Sequence, residues 1–150
     1  MDHSLYFEDL VVGQSFESTA RTITETDMTF FSMLSGDWNP IHCDKQFSEN
    51  TRFGERLVHG AFGIAVATGM MHALGIFEKS AVAMMSISDW KFLKPITIGM
   101  TLRLRLTILQ AEAGESKRVG RVDRRLELIN QNGEVVQSGE SDMLILKKSA

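Results

Sequence analysis

Residues 58–76 read VHGAFGIAVATGMMHALGI, and this stretch decides the fold. It contains no Asp, Glu, Lys or Arg, and most of its positions are large and apolar, which indicates a helix buried on nearly every side. Small residues recur at every fourth position and form a flat ridge that another backbone can approach closely. These residues are Ala61, Ala65, Gly69 and Ala73. We predict one long helix over residues 58–76.

An uncharged stretch of this length is also typical of a membrane span. This one contains His59, His72 and four glycines, and neither flank is strongly basic. Strand-like segments follow it and need a helix to cover them. We therefore predict a buried central helix and no association with a membrane.

The C-terminal half predicts antiparallel strands around that helix. In residues 101–108, Leu and Ile alternate with Thr and Arg, which is the period of two expected of a half-buried strand. Residues 118–130 and 134–146 flank Asn132-Gly133, a dipeptide that favours a tight hairpin turn. Residues 82–93 read as one more strand. A sheet that curls around one buried helix is an α+β architecture.

Composition sets the class of protein and excludes several functions. The chain has 150 residues, of which 43% are hydrophobic, and this suits one domain over residues 1–150. A net charge of −3 disfavours nucleic acid as a partner. A single cysteine, Cys43, excludes an internal disulfide and predicts a reducing, cytoplasmic compartment. The N-terminus has no basic start followed by an apolar run, so we expect no secretory signal.

The densest group of polar residues is SGDWNPIH at 35–42. It follows a predicted strand at 14–24 and a predicted helix at 25–34 with Thr24 as its N-cap. Asp37 and His42 are separated by a rigid Asn-Pro bend, so their side chains can converge and activate a water between them. The alternative is a turn in which Asp37 caps the chain and His42 is a satisfied, partly buried residue.

A second candidate lies at the start of the central helix, where Gly60 follows His59. The first N–H groups of a helix have no internal acceptor, and the helix dipole favours negative charge there, so the Gly60 N–H can stabilise a developing oxyanion. Alternatively, Gly60 only permits tight packing. Thr68 lies two turns further along the same face and can offer a hydroxyl, although such a threonine more often bonds its own helix.

Other reactive side chains carry weaker signals. Cys43 is most simply an inert thiol. The histidines and Asp44 show no recognised ligand spacing, so we predict no metal site. A basic run is typical of a solvated strand face, with contact to ligand phosphates as the alternative. The run consists of Lys117, Arg118, Arg121, Arg124 and Arg125.

Two stretches resemble the MaoC-like dehydratases, the family of (R)-specific enoyl-CoA hydratases. The first matches the hydratase signature at Phe31, Leu34, Ser35-Gly36-Asp37, Asn39-Pro40-Ile41-His42 and Ser48. The second is FGERLVHG at 53–60, which leads into the central helix. The resemblance implies the hot-dog fold, a curved antiparallel sheet wrapped around one long helix, in agreement with the hydrophobic pattern.

The resemblance also implies an activity, the reversible hydration of a trans-2-enoyl-CoA to the (R)-3-hydroxyacyl-CoA. Asp37 and His42 would be the catalytic pair, and the Gly60 N–H would polarise the thioester carbonyl. Coenzyme A would enter only as part of the substrate, with no other cofactor. The family also implies a homodimer, open to further assembly, with acyl-CoA at the interface. The implied substrate-binding residues are Trp38, Asn39, His59 and Thr68.

Two alternatives to the hydratase stay open. A thioesterase can use the same fold with a carboxylate and a helix N-terminus to activate water against the carbonyl, but the Asn-Pro-Ile-His stretch favours the hydratase. A non-catalytic acyl-binding module is disfavoured by the intact Asp37 and His42. The sequence leaves open the length of the acyl chain and whether its carrier is coenzyme A or acyl carrier protein.

Overall fold

A six-stranded antiparallel sheet is wrapped around one long helix in the computed structural model, which describes residues 3–148. The strands are β1 (Ser15–Glu17), β2 (Arg21–Thr22), β3 (Ala81–Phe92), β4 (Thr101–Glu112), β5 (Val119–Asn130) and β6 (Val135–Leu146). Their order across the sheet is β1-β4-β5-β6-β3, and β2 pairs with β4. The predicted α+β hot-dog architecture is confirmed. The expectation of no secretory signal rests partly on Met1 and Asp2, which lie outside the described residues.

Four α-helices accompany the sheet, and the longest is the predicted central one. They are α1 (Glu25–Ser35), α2 (Pro40–Cys43), α3 (Lys45–Glu49) and α4 (Gly60–Ala73), preceded by a 3-10 turn at Phe7–Asp9. Helix α4 begins two residues later and ends three residues earlier than predicted. No helix among residues 3–148 has the length and apolar character that crossing a membrane requires.

Only one face of α4 is covered by the sheet. Its buried residues are Phe62, Gly63, Val66, Ala67 and Met70. They pack on inward side chains of β4 and β5, including Leu104, Leu106 and Leu126, which are at most 2% exposed. The small-residue ridge lies on the other face, where Ala61, Ala65 and Gly69 are exposed. The expectation of burial on nearly every side is therefore wrong for a single chain.

The N-terminal elements differ from the prediction in detail. The strand expected at 14–24 is interrupted between β1 and β2, where the Ser18 hydroxyl accepts the Leu104 N–H at 2.9 Å. Helix α1 has the predicted N-cap, since Thr24 accepts the N–H of Asp27 and the Asp27 carboxylate accepts the N–H of Thr24. The two short helices α2 and α3 were not predicted.

The hairpin between β5 and β6 is one residue longer than the tightest turn. Asn130 and Glu134 close it through a backbone bond of 2.9 Å, so the turn spans residues 131–133. Gly133 alone has a positive φ, of 79°, which suits a three-residue turn followed by a left-handed glycine. The Asn130 side chain accepts the N–H groups of Asn132 and Glu134 and holds the turn.

Strand β3 forms one edge of the sheet and is exposed along almost its whole length. Its apolar side chains Val82, Met84 and Met85 are each about half exposed. A bulge occurs at Asp89, the one described non-glycine residue with a positive φ (50°). After the bulge, Trp90 turns inward and packs against Gly139, where a Cβ would lie 2.3 Å from the indole ring.

The contact between α4 and β6 gives a stability prediction. A Cβ at Gly63 would lie 2.2 Å from Gln137 Oε1, whereas a Cβ at Gly69 would meet nothing within 4 Å. Gly63→Ala should therefore lower the free energy of unfolding by about 1–3 kcal/mol, as overpacked cores do. Gly69→Ala, the matched control in the same helix, should leave it unchanged or raise it by up to about 1 kcal/mol when the single chain is measured. Equal urea denaturation midpoints for the two variants would contradict this packing.

Candidate active site

The loop after α1 is shaped by its own sequence. Gly36 ends the helix with a φ of 74°, and its N–H donates to Ser32 O. The Asp37 side chain then accepts the Asn39 N–H at 3.2 Å, and the Asn39 side chain accepts the Ile41 N–H at 3.2 Å. These two local bonds start α2 with Pro40 in its first turn and bring Asp37 and His42 to the same side.

His42 is held by the backbone of the segment that precedes α4. Its Nδ1 lies 2.7 Å from the carbonyl oxygen of Leu57, and because a carbonyl only accepts, Nδ1 must carry the proton. The Leu57 N–H in turn donates to Ile41 O at 3.1 Å. The buried hydroxyl of Ser48 donates to the same Ile41 oxygen. The Nε2 of neutral His42 is thus an unprotonated acceptor.

The Asp37 carboxylate faces that acceptor across a gap. Asp37 Oδ2 lies 3.6 Å from His42 Nε2, which is longer than a direct hydrogen bond. The Asp37 side chain is 51% exposed and that of His42 13% exposed. Because both atoms are acceptors, a water placed against them can donate one hydrogen to each. The structure therefore brings together the two residues that the sequence predicted as a pair.

His59 lies behind this pair, buried at 2% exposure. Its ring stacks on that of His42, with centroids 3.8 Å apart and planes at 23°. Its Nε2 donates to the backbone oxygen of Asp37 at 2.9 Å and lies 3.2 Å from Ser32 Oγ. All of these contacts are with the protein, and they fix both catalytic candidates. A direct contact of His59 with substrate stays a prediction.

Asp37, His42 and His59 also form the one described cluster in which three potential metal ligands approach within 4.8 Å. A tetrahedral ion needs ring lone pairs that converge on one point. The two imidazole rings are nearly parallel and stacked, so their in-plane lone pairs do not converge. The geometry is thus poorly suited to a metal, and the absence of one stays a prediction.

Gly60 begins α4 beside His42, in a cavity of about 460 Å³. The cavity is also lined by Arg52, Phe53, Leu57, Val58, Phe92, Leu93, Lys94, Pro95, Ile96 and Gln137. Gln137 donates to the Gly60 carbonyl at 3.2 Å and accepts from the Trp90 indole at 3.0 Å. Among residues 3–148 the Gly60 N–H has no acceptor, as expected for the first residue of a helix.

Both interpretations of Gly60 agree with this geometry. Its N–H is free to bind an oxyanion, and its missing side chain leaves room for Phe92, because a Cβ would lie 2.9 Å from that ring.

An ion pair holds the segment that precedes α4 against α1, since Arg56 contacts both carboxylate oxygens of Glu25 at 2.8 and 2.5 Å. Those hydrogen bonds raise the pKa of Arg56.

The remaining predicted residues do not line this cavity. Trp38 is half exposed, and Asn39 uses its side-chain oxygen to cap α2. The Thr68 hydroxyl donates to Ala65 O at 2.7 Å, which is the alternative that the sequence left open for it. Cys43 is exposed, and its thiol contacts the backbone oxygen of Trp38. Substrate contacts by Trp38, Asn39 and Thr68 stay predictions.

Sequence reasoning missed several residues that build the site. Leu57 acts through its backbone carbonyl, which leaves no signal in the sequence. Gln137 lies far from the motif along the chain and reaches the cavity only through the fold, whereas Arg52 directly precedes the stretch at 53–60 and was not singled out. Ser32 is buried in α1 and meets His59. Ser32 lies five residues before Asp37 in the sequence, but no sequence pattern indicated that it would contact His59.

Comparison with known proteins places this geometry in a family. The family model described as "MaoC like domain" matches residues 9–130. The chain is 37% identical over 102 residues to the Protein MaoC of Klebsiella aerogenes, of which it spans only 30%. It is 30% identical over 144 residues, or 96% of its length, to a 3-hydroxybutyryl-CoA dehydratase of Methylorubrum extorquens and covers 86% of that protein.

A solved structure agrees with the curated relatives. The unliganded R-hydratase of Pseudomonas aeruginosa superposes with a TM-score of 0.80 at 25% identity. The match covers 97% of this chain and 88% of that one. The likeness therefore extends over the whole domain, beyond the motif around Asp37.

The hydrogen bond to Leu57 O predicts the tautomer of His42. In ¹⁵N NMR spectra recorded where the ring is neutral, Nδ1 should carry the proton and Nε2 should show the shift of an unprotonated nitrogen. His72 is exposed and serves as the reference for a histidine without a fixed tautomer. A proton found on Nε2 of neutral His42 would contradict the proposed arrangement of acceptors.

Proposed function

Because the chain belongs to the MaoC-like domain family, we propose that it reversibly hydrates a trans-2-enoyl-CoA to the (R)-3-hydroxyacyl-CoA. The observation that carries the proposal is the 3.6 Å gap between Asp37 Oδ2 and His42 Nε2, with His42 lining the same cavity as Gly60, whose N–H has no acceptor among residues 3–148. Two relatives, a 3-hydroxybutyryl-CoA dehydratase and an R-hydratase, support the same chemistry.

The two acceptors orient the attacking water. With one hydrogen directed at Asp37 and the other at His42, an oxygen lone pair is free to attack C3 of the enoyl group. As the C3–O bond forms, the pair takes one proton from the water. One proton passes from the pair to C2, so that the protonation of the pair is the same before and after the reaction.

The start of α4 stabilises the charge that develops on the substrate. When water adds at C3, negative charge moves to the thioester oxygen, and the Gly60 N–H lies at the positive end of the helix dipole. The Gln137–Gly60 bond fixes the first turn beforehand, so little reorganisation is needed during the reaction. The start of α4 thus stabilises the charge on the thioester oxygen, and the Asp37–His42 pair activates the water that attacks C3.

The cavity around Gly60 suits an acyl thioester. Phe53, Phe92 and Leu93 offer apolar surface, while Arg52 and Lys94 add positive charge near it. We assign Trp38, Asn39, His59 and Thr68 to substrate binding by family resemblance, with Trp38 at the variable position of the motif. Coenzyme A enters as part of the substrate, and the mechanism requires no metal or nicotinamide.

A homodimer completes this proposal. Strand β3 has an unpaired edge with half-exposed apolar side chains, and the exposed ridge of α4 runs beside it. The two elements meet at both ends, because Gly60 lies against Phe92 and because His72 and Ala81 line one cavity. A second copy that pairs along β3 and packs on the ridge would cover one continuous apolar surface.

Removal of the Asp37 charge tests the activity. Wild-type protein should reduce the ultraviolet absorbance of crotonyl-CoA without thiol release, and Asp37→Asn should lower kcat by about 100-fold or more, since general acid–base groups contribute 10²–10⁴-fold. Asp44→Asn removes a nearby carboxylate charge while its side-chain oxygen still caps α3, and it should retain kcat. Thiol release by the wild type would favour a thioesterase, and an unchanged Asp37→Asn rate in folded protein would refute the mechanism.

The dimer is tested at the exposed edge. Met85→Asp should convert the wild-type dimer to a monomer in light-scattering chromatography, because an interface disfavours a buried charge. Phe47→Asp, which alters a similarly exposed apolar residue on α3, should remain a dimer. A wild-type monomer at micromolar concentration would contradict the assembly.

A further inference from the structure

Arg124 is buried beneath α4, contrary to the expectation of a solvated basic face. On β5, Val122, Arg124 and Leu126 share the face that looks toward the helix, and Arg124 is 2% exposed. Arg121 and Arg125 lie on the opposite face and are about half exposed. The predicted solvated run is therefore correct for these two neighbours and wrong for Arg124.

The guanidinium of Arg124 meets only neutral acceptors. Its Nε and Nη2 donate to the backbone oxygen and hydroxyl of Ser141, at 3.3 and 3.0 Å. Its Nη1 lies 3.4 Å from the thioether sulfur of Met71 on α4. A guanidinium has five N–H donors, so these three contacts leave two unused, and a thioether is a weak acceptor.

No carboxylate within residues 3–148 forms an ion pair with Arg124. The Asp142 charge acts on it from the outer face of β6, where that carboxylate already binds Arg121 at 2.9 Å and accepts from Ser86. Burial lowers the pKa of Arg124 to about 10, so the side chain remains charged at neutral pH. An arginine without a nearby carboxylate is an unfavourable core residue, because buried charges are normally paired.

An apolar cavity of about 280 Å³ is connected to this guanidinium through Met71, which lines the cavity and contacts Nη1, although Arg124 itself does not line it. It is lined by Met71, His72, Phe77, Glu78, Ala81 and Met143. Met71 forms both the cavity wall and the Nη1 contact, so its flexible side chain is what separates the charge from the cavity. Met143 lies two residues beyond Ser141 on the same face of β6. His72 and Glu78 are exposed in the single chain, so the Glu78 carboxylate is screened by water there.

We propose that this cavity binds an aliphatic carboxylate whose head group pairs with Arg124 and whose chain lies against the methionines. A carboxylate matches the planar guanidinium with two parallel hydrogen bonds, which would use the idle donors and replace the contact to sulfur. The Met71 side chain must turn aside to admit the head group. The apolar walls provide for the hydrocarbon part of the ligand.

The carboxylate can come from two sources. One is a free fatty acid. The other is the far end of a dicarboxylic acyl chain whose thioester lies at Gly60, and this source rests on the proposed function. Met71 lies eleven residues beyond Gly60 on α4, about 16 Å along the axis, which an extended acyl chain of about fourteen carbons spans.

Binding of octanoate tests the site without any assay of activity. Calorimetric titration should show that octanoate binds at least about tenfold more tightly than octanamide, its neutral analogue. Arg124→Gln should lose this preference, Arg124→Lys should retain part of it, and the surface control Arg125→Gln should retain all of it. If Arg124→Gln does not fold, the comparison of octanoate with octanamide on wild type and Arg124→Lys decides.

A pair of substrates identifies the source. If the acyl chain supplies the carboxylate, wild-type kcat/KM should be about tenfold or more higher for trans-2-tetradecenedioyl-CoA than for trans-2-tetradecenoyl-CoA. Arg124→Gln should abolish that ratio and leave crotonyl-CoA turnover unchanged. Octanoate binding without the ratio would assign the site to a free acid. If octanoate does not bind and the dicarboxylic substrate is not preferred, the proposed carboxylate site is overturned. If octanoate binds but the protein does not hydrate crotonyl-CoA, only the proposed function is contradicted.

Discussion

The docking of α4 against β6 through Gln137 is the contact on which the rest of the structure depends. Gln137 fits against the helix only because Gly63 lacks a side chain, and from there it donates to the Gly60 carbonyl. Its oxygen is held by Trp90, which the bulge at Asp89 turns inward. The start of the helix, the edge strand and the sheet are thereby fixed together, and the free N–H of Gly60 takes its position from all three.

The site combines parts of opposite rigidity. His42 is locked by the Leu57 carbonyl and by the ring of His59, whereas the Asp37 carboxylate is half exposed and bound locally to the Asn39 N–H. Because the Nδ1–H of His42 is bound, the position of its acceptor atom Nε2 is fixed. The more exposed Asp37 carboxylate can change its orientation to meet the attacking water. Buried His59 supports both through its ring contact with His42 and its hydrogen bond to the Asp37 backbone, in addition to the substrate contact proposed for it.

Sequence reasoning succeeded where a residue's role follows from local chemistry. The apolar run at 58–76 and the alternation after it decided the fold, and the Asp37–His42 pair followed from the Asn-Pro bend. Sequence reasoning failed where a residue's environment depends on contacts between segments that are distant along the chain. Arg124 sits in a run of basic residues, and only the register of β5 against Ser141 shows that it points inward. The extent of α4 burial was overestimated because the sheet covers only one face of the helix in the single chain.

The exposed edge of β3 links folding to concentration. A strand with unpaired backbone groups and half-exposed apolar side chains can pair with any other strand, so a newly folded chain is prone to aggregation until that edge is covered. Correct association and misassociation then compete for the same surface. Dilution slows dimer formation and aggregation alike, and a high concentration of unfolded chains favours aggregation. The yield of protein refolded from denaturant should therefore be highest at an intermediate protein concentration.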